Sequence, residues 1–164
     1  MNAKDVRKLG VKTLDGERMA SFAVTLEDDS VRLLTVVEEG GRLVVDWDSY
    51  ARYGTMTWDA LLSEDGMDAE AVVRVFVQPG DYYNPPFDDP QVWTSFRLVS
   101  PDVNRPLYAF ARTDDEMAIR MRGLVMQNGS FRQHMTLRIK RHAGLHDKML
   151  FSVEELVAVG WVVK

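Results

Sequence analysis

The chain has 164 residues, of which 46% are hydrophobic and 27% are charged, with a net charge of −5 and no cysteine. This composition excludes extensive disorder, and the lack of cysteine excludes disulfides, thiolate catalysis and cysteine-ligated metal centres. The segment from Glu27 to Asp89 is acidic, whereas the segment from Arg112 to Arg141 is basic. We attribute this contrast to solvation and internal charge balance.

The length fits one domain covering residues 1–164, with disorder only in the first few residues. Lys4, Arg7 and Lys8 are not followed by an apolar segment, so we expect no secretory signal as the chain stands. No apolar run approaches the roughly 18 residues needed to span a bilayer. We therefore expect a protein that is not integral to a membrane. It is either soluble and cytoplasmic or an extracytoplasmic domain of a longer anchored protein.

The first half of the chain predicts a meander of three strands. Residues 19–27 alternate between apolar and polar, which is typical of a half-buried strand. A second strand is predicted over 31–38 and a third over 42–47, with Gly40 and Gly41 forming the turn between them. Thr57 is then expected to cap a short helix that includes Leu61 and Leu62.

The second half predicts further strands over 71–78, 92–99, 107–112 and 131–140. Between the last two, Thr113 and Glu116 form a capping box that predicts the main helix, over residues 114–127. For the C-terminal segment we predict a strand over 149–153, followed by a short helical or bent segment that brings Trp161 onto the core. We therefore predict an α+β fold with a curved antiparallel sheet of about seven strands, the main helix packed on it, and one or two short helices.

The loop over residues 79–90 reads PGDYYNPPFDDP and contains four of the six prolines. Tyr82, Tyr83 and Phe87 on this stiff backbone offer a large contact area at low entropic cost, as recognition surfaces do. In the alternative interpretation, the same rings fold back and cover the end of the sheet. The loop is thus a candidate binding site, although scaffolding is the simpler explanation.

Motifs for nucleotide binding, serine hydrolysis and zinc proteolysis are absent from the sequence. The histidines His134, His142 and His146 could in principle bind a metal, but the segment between the last two is typical of a turn, so we expect a solvated loop. The acidic pairs at 46/48 and 88/89 are expected to lie in strand and turn positions, where they do not form a catalytic pair. We predict no catalytic residue, no metal site and no cofactor.

The strand predicted over 131–140 carries basic residues on its polar face, continued by Arg141 and by Arg120 and Arg122 of the main helix. Such a stripe can contact phosphates. No aromatic residues are interleaved with it, and the rest of the chain is acidic. We expect a solvated face and no nucleic-acid partner.

The segment 41–58 (GRLVVDWDSYARYGTMTW), followed by Asp81-Tyr82-Tyr83-Asn84 and by Gly160-Trp161, resembles an uncharacterised family of bacterial α+β domains. The resemblance implies no activity, and it implies a module of a longer, membrane-anchored protein. The stretch from Gly40 to Trp47 also resembles a closing strand of the curved NTF2-like or cystatin-like sheets.

Two functions follow as hypotheses. The first is a non-catalytic binding or accessory module, with an unknown protein or small-molecule partner, that binds through the 79–90 loop. The second is a small-molecule or enzymatic pocket in the concave face of the sheet, lined by Trp47, Trp93 and Tyr108, with Asp46 as its carboxylate. Across both hypotheses, the candidate partner-binding residues are Tyr82, Tyr83, Phe87, Trp47 and Trp93.

Overall fold

The computed structural model describes residues 3–14, 17–51, 54–63, 67–127, 132–142 and 147–160. Strands make up 53% of these residues and helices 14%, arranged as two sheets. The predicted α+β class is therefore wrong, because the protein is mostly β. The chain divides into two compact units, one up to residue 53 and one from residue 54 onward. The single-domain interpretation stays a prediction.

The first unit is a four-stranded antiparallel meander with strand order β1-β2-β3-β4. Its elements are β1 (Ala3–Leu14), β2 (Glu17–Leu26), β3 (Val31–Glu39), β4 (Arg42–Val45) and helix α1 (Trp47–Ala51). The three predicted strands are confirmed as β2, β3 and β4. Gly40 and Gly41 make the β3–β4 turn with φ of 55° and 76°, a conformation that glycine adopts without strain. Strand β1 was not predicted.

The second unit is built on a closed five-stranded barrel with strand order β5-β6-β7-β9-β8. Its elements are α2 (Trp58–Leu62), β5 (Glu70–Pro79), β6 (Trp93–Val99), β7 (Leu107–Arg112), α3 (Glu116–Met126), β8 (Gln133–Lys140) and β9 (Leu150–Val159). All neighbouring strands are antiparallel except β7 and β9, which are parallel. Helix α3 connects the third strand of the barrel to the fourth, and the last strand, β9, lies between β7 and β8.

Alternate residues of the barrel strands point inward and form its core, which includes Val73, Val75, Val77, Phe96, Leu98, Leu107, Leu137 and Ile139. Helix α3 adds Ala118, Met121 and Val125 to the same core. The helix therefore packs against the core of a closed barrel and does not lie across an open curved sheet. Alternation along single strands could not distinguish these arrangements, because both have a period of two.

Helix α3 confirms the predicted main helix but begins two residues later than predicted. Asp115 caps it, since its carboxylate accepts a hydrogen bond of 2.7 Å from the Met117 backbone N–H. Thr113 does not act as the cap because it is tied to β6: its N–H donates to Val92 O, and its hydroxyl accepts from Thr94. None of the helices in the described part of the chain has the length and apolar character that a membrane crossing requires.

The predicted helical or bent segment after residue 153 is wrong, because β9 continues as a strand to Val159. This strand pairs with β8 from Lys140↔Ser152 to Met135↔Val159, and the register shifts twice along the way. The two irregularities interrupt the alternation that would have marked a strand in the sequence. Trp161 lies outside the described residues.

Candidate functional site

The loop between β5 and β6 lies over the outer faces of β6 and β7. Because Ala109 and Ala111 belong to the barrel core, the residues between and beside them point outward. The outward ring of Phe110 stacks on Phe87 of the loop, with ring centroids 4.5 Å apart. The ring of Tyr82 also contacts the outward ring of Tyr108, with centroids 4.7 Å apart and an interplanar angle of 35°. A second small core, with Phe87, Phe110 and Leu150 at its centre, thus forms outside the barrel.

Hydrogen bonds fasten this loop to the barrel at both of its ends. At the start, the Gly80 N–H donates to Ser95 O at 3.0 Å, and the Ser95 hydroxyl donates to Tyr82 O at 3.0 Å. A Cβ atom at Gly80 would clash with Ser95 Oγ and lie 2.9 Å from the Ser95 carbonyl carbon. Only glycine fits at this close approach. At the other end, Trp93 N donates to Asp89 O at 2.9 Å.

The Tyr82 hydroxyl also ties the loop to the segment between β8 and β9. It donates to Asp147 Oδ2 at 2.7 Å, and the Asn84 side-chain amide donates to it at 3.4 Å. The bond to Asp147 is the main reason that the pKa of Tyr82 is raised above its ordinary value of 10.0, with desolvation adding to the effect. The neutral phenol is therefore the form that this contact favours.

A cavity of about 220 Å³ opens beside the loop, between the start of β6 and the end of α3. We call it the Trp93 pocket. Its walls are Pro79, Gly80, Tyr83, Pro90, Trp93, Thr94, Ser95, Phe96, Thr113, Arg122, Val125 and Met126. The wall combines apolar and aromatic side chains with several polar groups, as binding pockets do.

The indole of Trp93 is held in place from behind the pocket. It meets Phe87 edge to face, with centroids 4.9 Å apart and an interplanar angle of 89°. Phe87 is itself stacked on Phe110 and is 4% exposed. This geometry is one that aromatic pairs prefer, so the aromatic wall of the pocket is preformed.

The structure brings four of the five predicted site residues into one cluster. Tyr83 and Trp93 line the pocket, and Tyr82 lies next to it in the loop. Phe87 is buried beneath them and supports the loop. The fifth, Trp47, belongs to the first unit, where it is 65% exposed and its ring lies 5.4 Å from Tyr50.

The alternative pocket was predicted in the concave face of a single curved sheet, whereas the structure has a four-stranded sheet in the first unit and a closed barrel in the second. Of its predicted lining, Trp47 and Asp46 belong to the first unit, and Trp93 and Tyr108 belong to the second. Tyr108 packs against the ring of Tyr82 and is not part of the Trp93 pocket. The alternative function stays a prediction.

Sequence reasoning missed the contribution of α3 to the pocket. Arg122, Val125 and Met126 are spaced i, i+3 and i+4, so they share one face of the helix. That spacing was visible in the sequence, but Arg122 was assigned to the basic stripe instead. Thr94 and Thr113 were missed as lining residues because only the pairing of β6 with β7 brings these residues together.

The other sequence candidates have ordinary structural surroundings. His142 forms a hydrogen bond of 2.8 Å with the Ser152 hydroxyl, and His146 lies outside the described residues. Within the residues that the structure describes, no three potential metal ligands cluster. In the basic stripe, Arg141 is buried and donates to Leu61 O, while Arg138 pairs with Glu155 at 3.0 Å. The side chains of these two arginines therefore already have partners within the protein.

No protein-family model matches the chain, and no curated protein or solved structure matches it either. The resemblance to a bacterial domain family stays a prediction. Barrel topology alone assigns no function, since one fold carries many functions. The assignment therefore depends on the geometry of this chain's own residues.

Proposed function

We propose that the chain is a non-catalytic binding module that takes an aromatic or branched apolar group of its ligand into the Trp93 pocket. The observation that carries the proposal is the cavity of about 220 Å³ walled by Tyr83 and Trp93. An apolar cavity of about 150 Å³ is enough to bind benzene, whereas pockets for drug-sized ligands are typically about 300 to 1,000 Å³. The size therefore favours one ring with a small substituent.

The rigidity of the wall supports a binding role. Because Trp93 is packed against Phe87, and Phe87 against Phe110, little side-chain freedom has to be lost when a ligand enters. A preformed site of this kind binds more tightly than one that must be ordered first.

The chemistry of the wall favours binding over catalysis. Its polar side chains are three hydroxyl residues of the β strands and their ends, the Tyr83 phenol, the Trp93 indole and the Arg122 guanidinium. General acid–base catalysis near neutral pH relies on groups such as carboxylates and imidazoles. No carboxylate or imidazole is among the described residues that line this pocket.

The pocket can be tested with indole as a neutral aromatic probe. In a ¹H–¹⁵N NMR titration we expect the Trp93 indole N–H signal to shift saturably, with a dissociation constant on the order of millimolar for so small a ligand. Trp93→Leu should weaken indole binding strongly, because it removes one aromatic wall. In this variant the backbone N–H signals of Thr94 and Ser95, which also line the pocket, replace the indole signal as the readout.

Trp47→Leu is the matched control, since Trp47 is exposed and lies in the first unit. It should leave the indole affinity unchanged. Thermal unfolding of both variants checks that each is folded. Absence of saturable shifts in the wild type, or equal loss of affinity in the two variants, would contradict the proposal.

A further inference from the structure

We infer that the ligand of the Trp93 pocket is an aromatic carboxylate whose negative charge is bound by the Arg122 guanidinium. This inference rests on the proposed function and adds the chemical class of the ligand. It follows from the charges and hydrogen-bonding groups that the pocket presents.

Arg122 lines the pocket, and its side chain forms no ion pair or hydrogen bond with the described residues. Four other arginine side chains of the second unit have partners: Arg97 with Gln78, Arg112 with Asp114, Arg138 with Glu155, and Arg141 with Leu61 O. Across the described part of the chain, no carboxylate lies within ion-pair distance of Arg122. Its guanidinium is therefore available to a ligand.

The remaining polar groups of the pocket also favour an anion. The Ser95 and Thr94 hydroxyls already donate within the protein, to Tyr82 O and Thr113 Oγ1. The Tyr83 hydroxyl and the Trp93 indole N–H form no hydrogen bond with any described residue, and both can donate. A ligand with acceptor oxygens satisfies these donors, whereas a cationic ligand meets no opposing charge.

The position of Arg122 on α3 places its charge beside the apolar wall. It shares a helix face with Val125 and Met126, which line the same cavity. The C-terminal end of a helix carries about half a negative charge, which the full positive charge of arginine outweighs. A ligand ring bound between Tyr83 and Trp93 thus has its acidic substituent near the guanidinium. A planar carboxylate can accept two parallel hydrogen bonds from arginine.

Indole-3-acetate and indole-3-acetamide test the inference, because they have the same ring and nearly the same shape but differ in charge. Each is titrated into the full chain at low salt, with the Trp93 indole N–H signal as the readout. We expect the acetate to bind about tenfold more tightly than the amide, because a charge-assisted hydrogen bond to the guanidinium contributes at least that factor in affinity. Added salt at 0.5 M should reduce this ratio.

Arg122→Gln should remove the preference for the acetate, so that the acetate and the amide bind with equal affinity. Arg120→Gln is the matched control, since Arg120 lies on the same helix but lines a separate groove with Glu116 and Glu154. It should keep the tenfold preference. Both arginines are exposed, so both variants are expected to fold, and thermal unfolding verifies this.

The outcomes separate the two proposals. If indole and the amide bind but the acetate binds no better, the charge inference is overturned while the binding pocket stands. If the acetate loses as much affinity in Arg120→Gln as in Arg122→Gln, the inference is also overturned. If none of the three probes binds to the wild type, the proposed function itself fails.

The carboxylate could belong to a free acid or to the C-terminus of a peptide that ends in an aromatic residue. The peptide Gly-Gly-Phe, compared with phenylacetate, distinguishes these sources of the same chemistry. Tighter binding of the peptide identifies a chain terminus, and tighter binding of phenylacetate identifies a free acid. Loss of peptide binding upon C-terminal amidation is expected in the first case, and unchanged binding would contradict the role of the carboxylate.

Discussion

The ring of Phe87 lies parallel to the ring of Phe110, with centroids 4.5 Å apart and an interplanar angle of 5°. Phe110 is fully buried, although it is on the outer face of the barrel. The loop between β5 and β6 is therefore packed onto the barrel by a core of its own. The shape of the Trp93 pocket depends on this contact, since Phe87 also supports Trp93.

Phe87→Ala should destabilise the second unit by about 3–5 kcal/mol, the usual cost of removing a buried phenylalanine side chain. It should also weaken indole binding, because Trp93 loses its support. Urea unfolding measures the first effect and the NMR titration the second. Ile119→Ala is the control: its side chain is 49% exposed on α3, so a change within about 0.5 kcal/mol is expected. A cost for Phe87→Ala as small as that would show that the loop is not held by this stack.

Tyr82 should ionise at higher pH than an ordinary tyrosine, because its bond to Asp147 raises the pKa above 10.0. The folded protein holds the phenol proton more tightly than the unfolded chain does. The bond's contribution to stability is therefore fully present below pH 10 and is lost as the pH rises through the raised pKa.

NMR titration of the tyrosine ring signals identifies this group, and Tyr82→Phe removes its titration. The alkaline loss of stability that belongs to Tyr82 should disappear in the same variant. Ionisation of Tyr82 at or below its ordinary pKa would contradict the contact with Asp147.

Gly80→Ala should destabilise the protein by about 1–3 kcal/mol, as overpacking does, because the new Cβ meets Ser95. Gly123→Ala is the control, and its expected effect on stability has the opposite sign. Nothing lies within 4 Å of a Cβ atom at Gly123, and alanine is favoured over glycine inside a helix by about 0.5–1 kcal/mol. Thermal unfolding should thus show a lower Tm for the first variant and a higher Tm for the second. The same sign for both would contradict the close approach at Gly80.

Arg141→Ala should lower the free energy of unfolding by about 2–3 kcal/mol. The buried Arg141 guanidinium donates to Leu61 O and Ser63 O at the end of α2, and both carbonyls would lose this charged partner. Arg138→Ala removes an ion pair with Glu155 that is partly exposed on both sides, so a change of about 1 kcal/mol or less is expected. Denaturant unfolding compares the two. Equal costs would show that the Arg141 contacts do not stabilise α2.

Local patterns predicted the strands well where alternation is regular. Strand β7 has the predicted bounds, and β2 and β3 differ from them by two residues or fewer at each end. The closure of the barrel could not be predicted in this way, because alternation identifies a strand but not its neighbours. The parallel pairing of β7 with β9 joins residues about 40 positions apart, such as Tyr108 and Leu150.

The aromatic part of the candidate site could be predicted because Tyr83 and Trp93 stand out by residue type around a proline-rich loop. Arg122 could not be assigned to the same site in that way. Its place in the pocket depends on where α3 ends relative to β6, which is a property of the tertiary fold. Phe87 was predicted as a contact residue, and its burial depends likewise on the outward-facing Phe110.

The position of β9 between β7 and β8 affects the order of events during synthesis on the ribosome. Residues 150–159 form the last described strand, and until they emerge β7 and β8 lack the neighbour that joins them. A nascent chain that stops after β8 would expose two unpaired strand edges, which invite association with other chains. Ribosome-stalled chains that end at residue 141 and are followed by a linker long enough to clear the exit tunnel should therefore remain protease-sensitive. Chains with the same linker after residue 160 should become resistant.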